Sequence, residues 1–203
     1  MKIGIFGGTF DPPHIGHVNM CRLFLEKLSL DRLYVIPAHI PPHKLITSRS
    51  TADDRFEMAK IAFSNLSQKV TVSDIELKRD GKSYTAYTLK QFREQGFDDL
   101  YFLCGTDMFL TLDTWYNPSY IFESATIACV RRESENEISV LIKEKTEQYK
   151  ENFNARIVLI DADAIEISSS EVREAIKNDN PLSSCYISPE IKNYIEAKGL
   201  YRN

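Results

Sequence analysis

The chain has 203 residues, 43% of them apolar and 27% charged, the balance of an ordinary globular protein and the length of one domain, for which roughly 100–200 residues are usual. A net charge of −4 and an isoelectric point near 5.6 argue against nucleic acid as the main partner, since a polyanion needs a basic face, but leave room for a basic pocket around a small anionic ligand. No window approaches the ~20 apolar residues of a membrane span, and the opening Met-Lys-Ile-Gly-Ile-Phe runs at once into Gly-Gly and Pro-Pro, which is no signal-peptide core; a cytoplasmic protein without membrane contact is expected.

In chain order the pattern alternates strand and helix. Residues 2–6 read as a short strand, followed by a Gly/Pro-rich turn and a helix over about 14–28. Residues 32–37, rich in Val, Ile and Tyr, form a second strand. The stretch 38–50 holds Pro41, Pro42, His39 and His43 and reads as a functional loop, being long and irregular. Thr51 caps the next helix, with Asp53 and Asp54 at the positive end of its dipole, and Phe56, Ala59, Phe63 and Leu66 give it a buried stripe.

Residues 70–77 alternate like a strand. Leu89 and Phe92 mark a helix that Gly96 ends. Residues 100–104, 126–130 and 156–160 are continuous apolar strands, and short apolar runs alternating with helices imply a parallel sheet covered on both faces. The charged stretch 135–152 reads as a helix on solvated surface. Near the end, Ser168 with Glu171 makes a capping box, and Ser188-Pro189 opens a last helix that Gly199 closes. The expectation is one α/β domain over residues 1–203, an open parallel sheet with helices on both faces and C-terminal helices. Cys21, Cys104, Cys129 and Cys185 are widely spaced without a C-x-x-C pair, which suggests reduced thiols and no metal ligands.

In an open parallel sheet a ligand sits beyond the carboxyl ends of the strands. Directly after the first strand stands Gly7-Gly8-Thr9-Phe10-Asp11-Pro12-Pro13-His14-Ile15-Gly16-His17. Gly7 and Gly8 let backbone N–H groups approach a ligand, Pro12 and Pro13 stiffen the turn, and His14 and His17 share one helical face that Gly16 leaves open. Two imidazoles at a helix N-terminus suit a phosphate, although H-x-x-H alone also fits two surface histidines on a capped helix. The spacing of Gly4, Gly7 and Gly8 is not that of the G-x-G-x-x-G dinucleotide fingerprint.

This run resembles the first signature of the HxGH nucleotidyltransferases, a Rossmann-like family, and Ile167-Ser168-Ser169-Ser170-Glu171-Val172-Arg173 resembles the second, in the family's order and spacing. The fuller pattern is similar to the bacterial nicotinate-mononucleotide adenylyltransferases: Ile36-Pro37, Pro41-Pro42-His43-Lys44, Ser83-Tyr84-Thr85, Gly105-Thr106-Asp107, Trp115 and Arg132. Glu133-Ser134 follows Arg132 where the family usually has Pro-Gly.

The resemblance implies transfer of AMP from ATP to nicotinate mononucleotide, with release of pyrophosphate and Mg2+ on the triphosphate. It implies catalytic roles for His14, His17, Lys44 and Arg173, and an ATP site built from Gly7, Gly8, Thr9, Phe10, His14, Gly16, His17, Gly105, Asp107, Ser168, Ser169 and Arg173. Gly8, Thr9, Lys44, Tyr84, Thr85, Trp115 and Arg132 would hold nicotinate mononucleotide. Without the family, Ser168 and Ser169 are a capping box, Asp107 a turn cap, Arg173 and Lys44 surface charges and Trp115 a core residue. A sister enzyme with another phosphate acceptor and a nucleotide-binding sensor without turnover are the alternative readings, and the sequence leaves a homo-oligomer open.

Overall fold

Strands buried on both faces must carry apolar side chains on both, and those of this chain do. On the strand Asp99–Gly105 (β4), Phe102 and Cys104 enter one core and Leu103 the other. On Thr126–Arg131 (β5), Ile127 and Cys129 alternate with Ala128 and Val130 in the same way. The structure, a computed structural model, describes residues 1–42, 50–131, 136–162, 165, 167–181 and 183–202.

Among the described residues six strands form one parallel sheet: Lys2–Gly8 (β1), Arg32–Pro37 (β2), Val70–Val72 (β3), β4, β5 and Ile157–Asp161 (β6), in the order β3-β2-β1-β4-β5-β6. That order reverses direction between β1 and β4, the switch point at which doubly wound sheets open a crevice for ligands. Helices Ile15–Leu28 (α1) and Ala52–Phe63 (α2) cover one face, and Thr85–Glu94 (α3), Pro118–Ser124 (α5) and Asn136–Phe153 (α6) the other. A one-turn helix, Thr106–Phe109 (α4), and a 3-10 turn, Leu112–Thr114, follow β4. The C-terminal helices Ser169–Lys177 (α7), Ser183–Tyr186 (α8) and Pro189–Lys198 (α9) complete the chain, with Val172, Ile191 and Ile195 packed on Met58 of α2.

Two expectations are corrected. The strand read over 70–77 stops at Val72: Ser73 N–H makes a last bond to Val35 O of β2, and Lys78 N–H then bonds back to Asp74 O in a turn away from the sheet edge. The stretch read as solvated surface is anchored: Ile142 and Tyr149 of α6 are buried, and the Tyr149 hydroxyl donates to Phe109 O at 2.8 Å and Asp113 Oδ1 at 3.0 Å. No helix among the described residues is long and apolar enough to cross a membrane. All four cysteines are free thiols.

Candidate active site

Gly7 and Gly8 at the end of β1 pair with Ile36 and Pro37 of β2, whereas the pairing of β1 with β4 stops at Ile5, so the glycine turn lies at the mouth of the switch-point crevice. A β-carbon on Gly7 would meet open space, whereas one on Gly8 would come within 2.8 Å of the Phe10 ring. Phe10 adopts a left-handed φ of 50°, uncommon for a bulky side chain, and is 1% exposed. Its ring packs edge-on against Phe6, Phe63 and His17. The Phe10 side chain is therefore a support beneath the turn, which leaves its backbone as the part that can face a ligand.

His14 is the N-cap of α1 and His17 its third residue. Their rings lie 3.7 Å apart at 32°. The His14 backbone N–H donates to His17 Nδ1 at 3.3 Å, so a neutral His17 carries its proton on Nε2 and donates from the opposite edge of the ring. His14 is buried, and burial pulls its imidazole down to about 4, opposed in part by the Glu171 carboxylate. Its Nδ1 has no partner among the described residues.

Gly16 does not leave the helix face open. It is buried, and a β-carbon there would lie 2.9 Å from Ile165 O and 3.0 Å from Ile167 Cγ2. The missing side chain lets the second signature close onto the first. From that side the Ser169 hydroxyl donates to Pro12 O at 3.0 Å, and Arg173 donates from Nη1 to Asp11 O at 2.7 Å and from Nη2 to Ser170 Oγ at 3.0 Å.

Ser168 forms the expected capping box: its N–H and hydroxyl donate to Glu171 Oε2 at 2.7 and 2.6 Å, and Oγ accepts from Glu171 N at 3.2 Å. The hydroxyls of Ser168 and Ser169 are thus committed to Glu171 and Pro12. The first turn of α7 keeps the backbone N–H groups that a helix leaves unsatisfied.

Gly105 ends β4 on the other side of the switch point, with Met20 of α1 in contact range, and Asp107 stands exposed in α4. Further along the β2 side, Tyr84 is the N-cap of α3 and Thr85 its first residue. Tyr84 stacks on Tyr116 at 4.5 Å, and Tyr116 Oη lies 3.0 Å from Tyr87 Oη. This brings the Trp115 turn beside the start of α3. Trp115 is half-buried, edge-on to Phe102 at 6.0 Å, with Nε1–H donating to Thr111 Oγ1 at 3.4 Å. Lys44 and Arg132 lie outside the described residues.

The sequence reading missed several residues that hold this arrangement. Asp11 Oδ1 accepts from Tyr201 at 2.6 Å and from Ser50 at 2.5 Å, and the buried Arg55 donates to three backbone carbonyls around the turn. Tyr116 is the partner of Tyr84. The G-G-T-F-D run signalled Asp11 but not its partners.

The sequence profile of the Cytidylyltransferase-like family matches residues 5–175. Among curated proteins, the chain is 40% identical over 190 residues to a Clostridium novyi protein named "probable nicotinate-nucleotide adenylyltransferase", covering 93% of this chain and 92% of that one. A Bacillus licheniformis protein of the same name is 37% identical, with 98% of each chain covered. Of solved structures, the Plasmodium falciparum nicotinic acid mononucleotide adenylyltransferase complexed with NaAD superposes with a TM-score of 0.76 over 98% of this chain and 97% of that chain, at 22% identity. At that identity the likeness is one of fold.

Proposed function

The chain belongs to the Cytidylyltransferase-like family and, within it, to the nicotinate-nucleotide adenylyltransferases, and from that premise we propose that it transfers AMP from ATP to nicotinate mononucleotide, giving nicotinic acid adenine dinucleotide and pyrophosphate. One observation supports this reading above the others: the histidine turn and the serine-led helix share one crevice, joined by Arg173 to Asp11 O, by Ser169 to Pro12 O and by the close approach at Gly16.

In the reaction, a phosphate oxygen of the mononucleotide bonds to the α-phosphorus of ATP. The bond from that phosphorus to the bridging oxygen breaks, and pyrophosphate leaves with the electron pair. The attacking oxygen is anionic at neutral pH, so no general base is needed. Rate comes from alignment and from donors fixed where charge moves.

His17, with Nδ1 occupied by the His14 N–H, offers Nε2–H to the α-phosphate. His14 and the N-terminal N–H groups of α7 face the outer phosphates, with Arg173 behind them and Lys44 as a further phosphate contact. Gly7, Gly8, Thr9 and Gly16 shape the turn around the triphosphate, and Gly105 and Asp107 receive adenosine. Mg2+ arrives on the triphosphate as part of the substrate; among the described residues no group of three or more His, Cys, Asp or Glu is arranged as a metal site. A triphosphate-borne cation binds chiefly through phosphate oxygens and water.

For the acceptor, Gly8 and Thr9 meet the phosphate together with Lys44 and Arg132. Trp115 offers a flat face to the pyridinium ring. The N-terminus of α3 at Tyr84 and Thr85 receives the nicotinate carboxylate, which a helix N-terminus favours over an amide. We assign the protein to the cytoplasm, where four unbridged cysteines are the norm; its partners are these two small molecules.

An assay of pyrophosphate release and dinucleotide formation from ATP, Mg2+ and either nicotinate or nicotinamide mononucleotide tests the reading. Faster turnover of the acid is expected, and no product from either would sink it.

A further inference from the structure

Among the described residues, the roles above leave one buried cation unused. Arg55, on α2, is 1% exposed. Its Nη1 donates to Ala38 O at 2.5 Å and Thr9 O at 3.1 Å, and its Nη2 to His39 O at 3.0 Å. Burying a guanidinium is unfavourable unless its donors are met, and an apolar side chain of similar volume often packs as well or better. What an apolar residue could not do here is gather carbonyls from two separate segments around one planar fork.

Those segments follow the neighbouring strands β1 and β2, on one side of the switch point. Thr9 belongs to the glycine turn. Ala38 and His39 follow β2, and the short stretch 38–40 is held from both directions: Ala38 N–H donates to Gly8 O at 2.9 Å, His39 N–H donates to Ser83 Oγ at 2.8 Å, and Ser83 N–H donates to Ile40 O at 2.8 Å. Ser83 immediately precedes Tyr84 and Thr85 at the start of α3. Beneath it the buried Glu76 carboxylate accepts from the Thr88 hydroxyl of α3 at 2.5 Å. Residues 38–40 are thus a rung between the phosphate turn and the head of α3, with Arg55 fastening the rung to the turn.

We propose that Arg55 is a positioning residue that sets the distance and angle between the two substrates, acting through residues 38–40 and Ser83 without touching either ligand. The proposal rests on the reading that ATP occupies the glycine turn and the acceptor occupies the head of α3. In-line attack is intolerant of displacement, about 1 Å being enough to cost on the order of 10²-fold in rate. Slackening the rung therefore lowers kcat, while each substrate keeps most of its affinity through contacts the rung does not carry, the histidines and α7 for ATP and the head of α3 for the acceptor.

The test compares wild type with Arg55→Lys, Arg55→Met, Ser83→Ala and Ser83→Thr, reading kcat, both KM values and Tm with ATP, Mg2+ and nicotinate mononucleotide. Arg55→Lys, which cannot span the carbonyls, and Ser83→Ala should each lose about ten-fold or more in kcat, with either KM within about three-fold of wild type. Ser83→Thr, which keeps the hydroxyl, should recover most of the rate. If Arg55→Met fails to fold, Ser83→Ala carries the same comparison at a site that leaves α2 intact. Unchanged kcat in Arg55→Lys and Ser83→Ala, or losses confined to KM, would overturn the positioning role. A wild-type protein that forms no dinucleotide would instead overturn the functional reading, and this proposal with it.

Discussion

Gly16 and Ile165 approach so closely that a β-carbon on the glycine would sit 2.9 Å from the Ile165 carbonyl oxygen. This contact is where the two halves of the crevice meet. Backbone cannot yield as a flexible side-chain tip can, so even one methyl group must push the second signature away from the first. Gly16→Ala should cost about 1–3 kcal/mol of stability, as overpacking does, and should lower kcat by more than the loss of folded protein accounts for. Thermal melts paired with turnover at a temperature well below Tm check this; a fully active Gly16→Ala would show that the contact is not needed.

A second long-range tie closes over the same turn. The Tyr201 hydroxyl donates to Asp11 Oδ1 at 2.6 Å across 190 residues of chain, Ser50 donates to the same oxygen, and Arg173 holds the Asp11 carbonyl. An aspartate only 5% exposed beside a site for polyanions needs its charge met by donors. Tyr201→Phe removes one donor and keeps the ring that packs with Ile191 and Ile195. The expected result is a loss of roughly 1–3 kcal/mol in stability, read by denaturant titration, with KM for ATP raised more than KM for the acceptor. Equal stability of the two proteins would remove the tie from the account.

His17 is the donor assigned to the reacting phosphate. Removing one preorganised donor of this kind costs on the order of 10²–10³ in kcat. His17→Ala should show that loss with little change in Tm, because the ring is only half-buried and gives up a single 3.3 Å bond from the His14 backbone N–H. His17→Asn should recover little of the rate. Normal turnover in His17→Ala would remove the mechanism.

The parts of this architecture legible in the sequence were those with a local signal. S-x-x-E at Ser168 and Glu171, Ser188-Pro189 and Gly199 each specify a helix end through neighbours three or four residues away, and all appear as expected. The doubly buried strands were legible from unbroken apolar runs. The partners of Asp11 and Arg55 left no such trace, since Tyr201 and Ser50 come from distant segments and the carbonyls that Arg55 binds are the same in any sequence. The one-turn helix α4 and the seven-residue α5 are too short for a 3.6-residue period to emerge. In α6 the charged face outnumbers Ile142 and Tyr149, so composition pointed outward where two side chains hold the helix to the core. The strand at 70–77 had the alternation of a strand but only Val70–Val72 found a neighbour.

Trp115 is half-buried against Phe102, with its neighbour Tyr116 stacked on Tyr84 at the start of α3. If the indole faces the pyridinium ring, Trp115→Ala should raise KM for nicotinate mononucleotide about ten-fold or more, in line with a desolvated cation–π contact of ~2 kcal/mol, and leave KM for ATP nearly unchanged. Trp115→Phe should fall between. Equal effects on both substrates, or none, would return the residue to a packing role.

The acid limb of stability should report on His14. Its pKa is drawn from 6.5 down to about 4 by burial, so between those values the unfolded chain binds a proton that the native chain does not. Stability therefore rises with pH across that window and is lost as the solution is acidified through it. The full penalty below the native pKa is about 3 kcal/mol. His14→Gln, which does not titrate, should flatten the pH dependence of unfolding free energy between pH 4 and 6.5 relative to wild type. The same linkage gives a binding signature: a triphosphate beside the ring favours the imidazolium, so ATP binding near pH 5 to 6 should draw in protons, seen as a buffer-dependent heat in calorimetry, and His14→Gln should lose that uptake. Parallel stability curves for the two proteins would mean that His14 is not held neutral by its surroundings. In that case the ring meets the phosphates already charged.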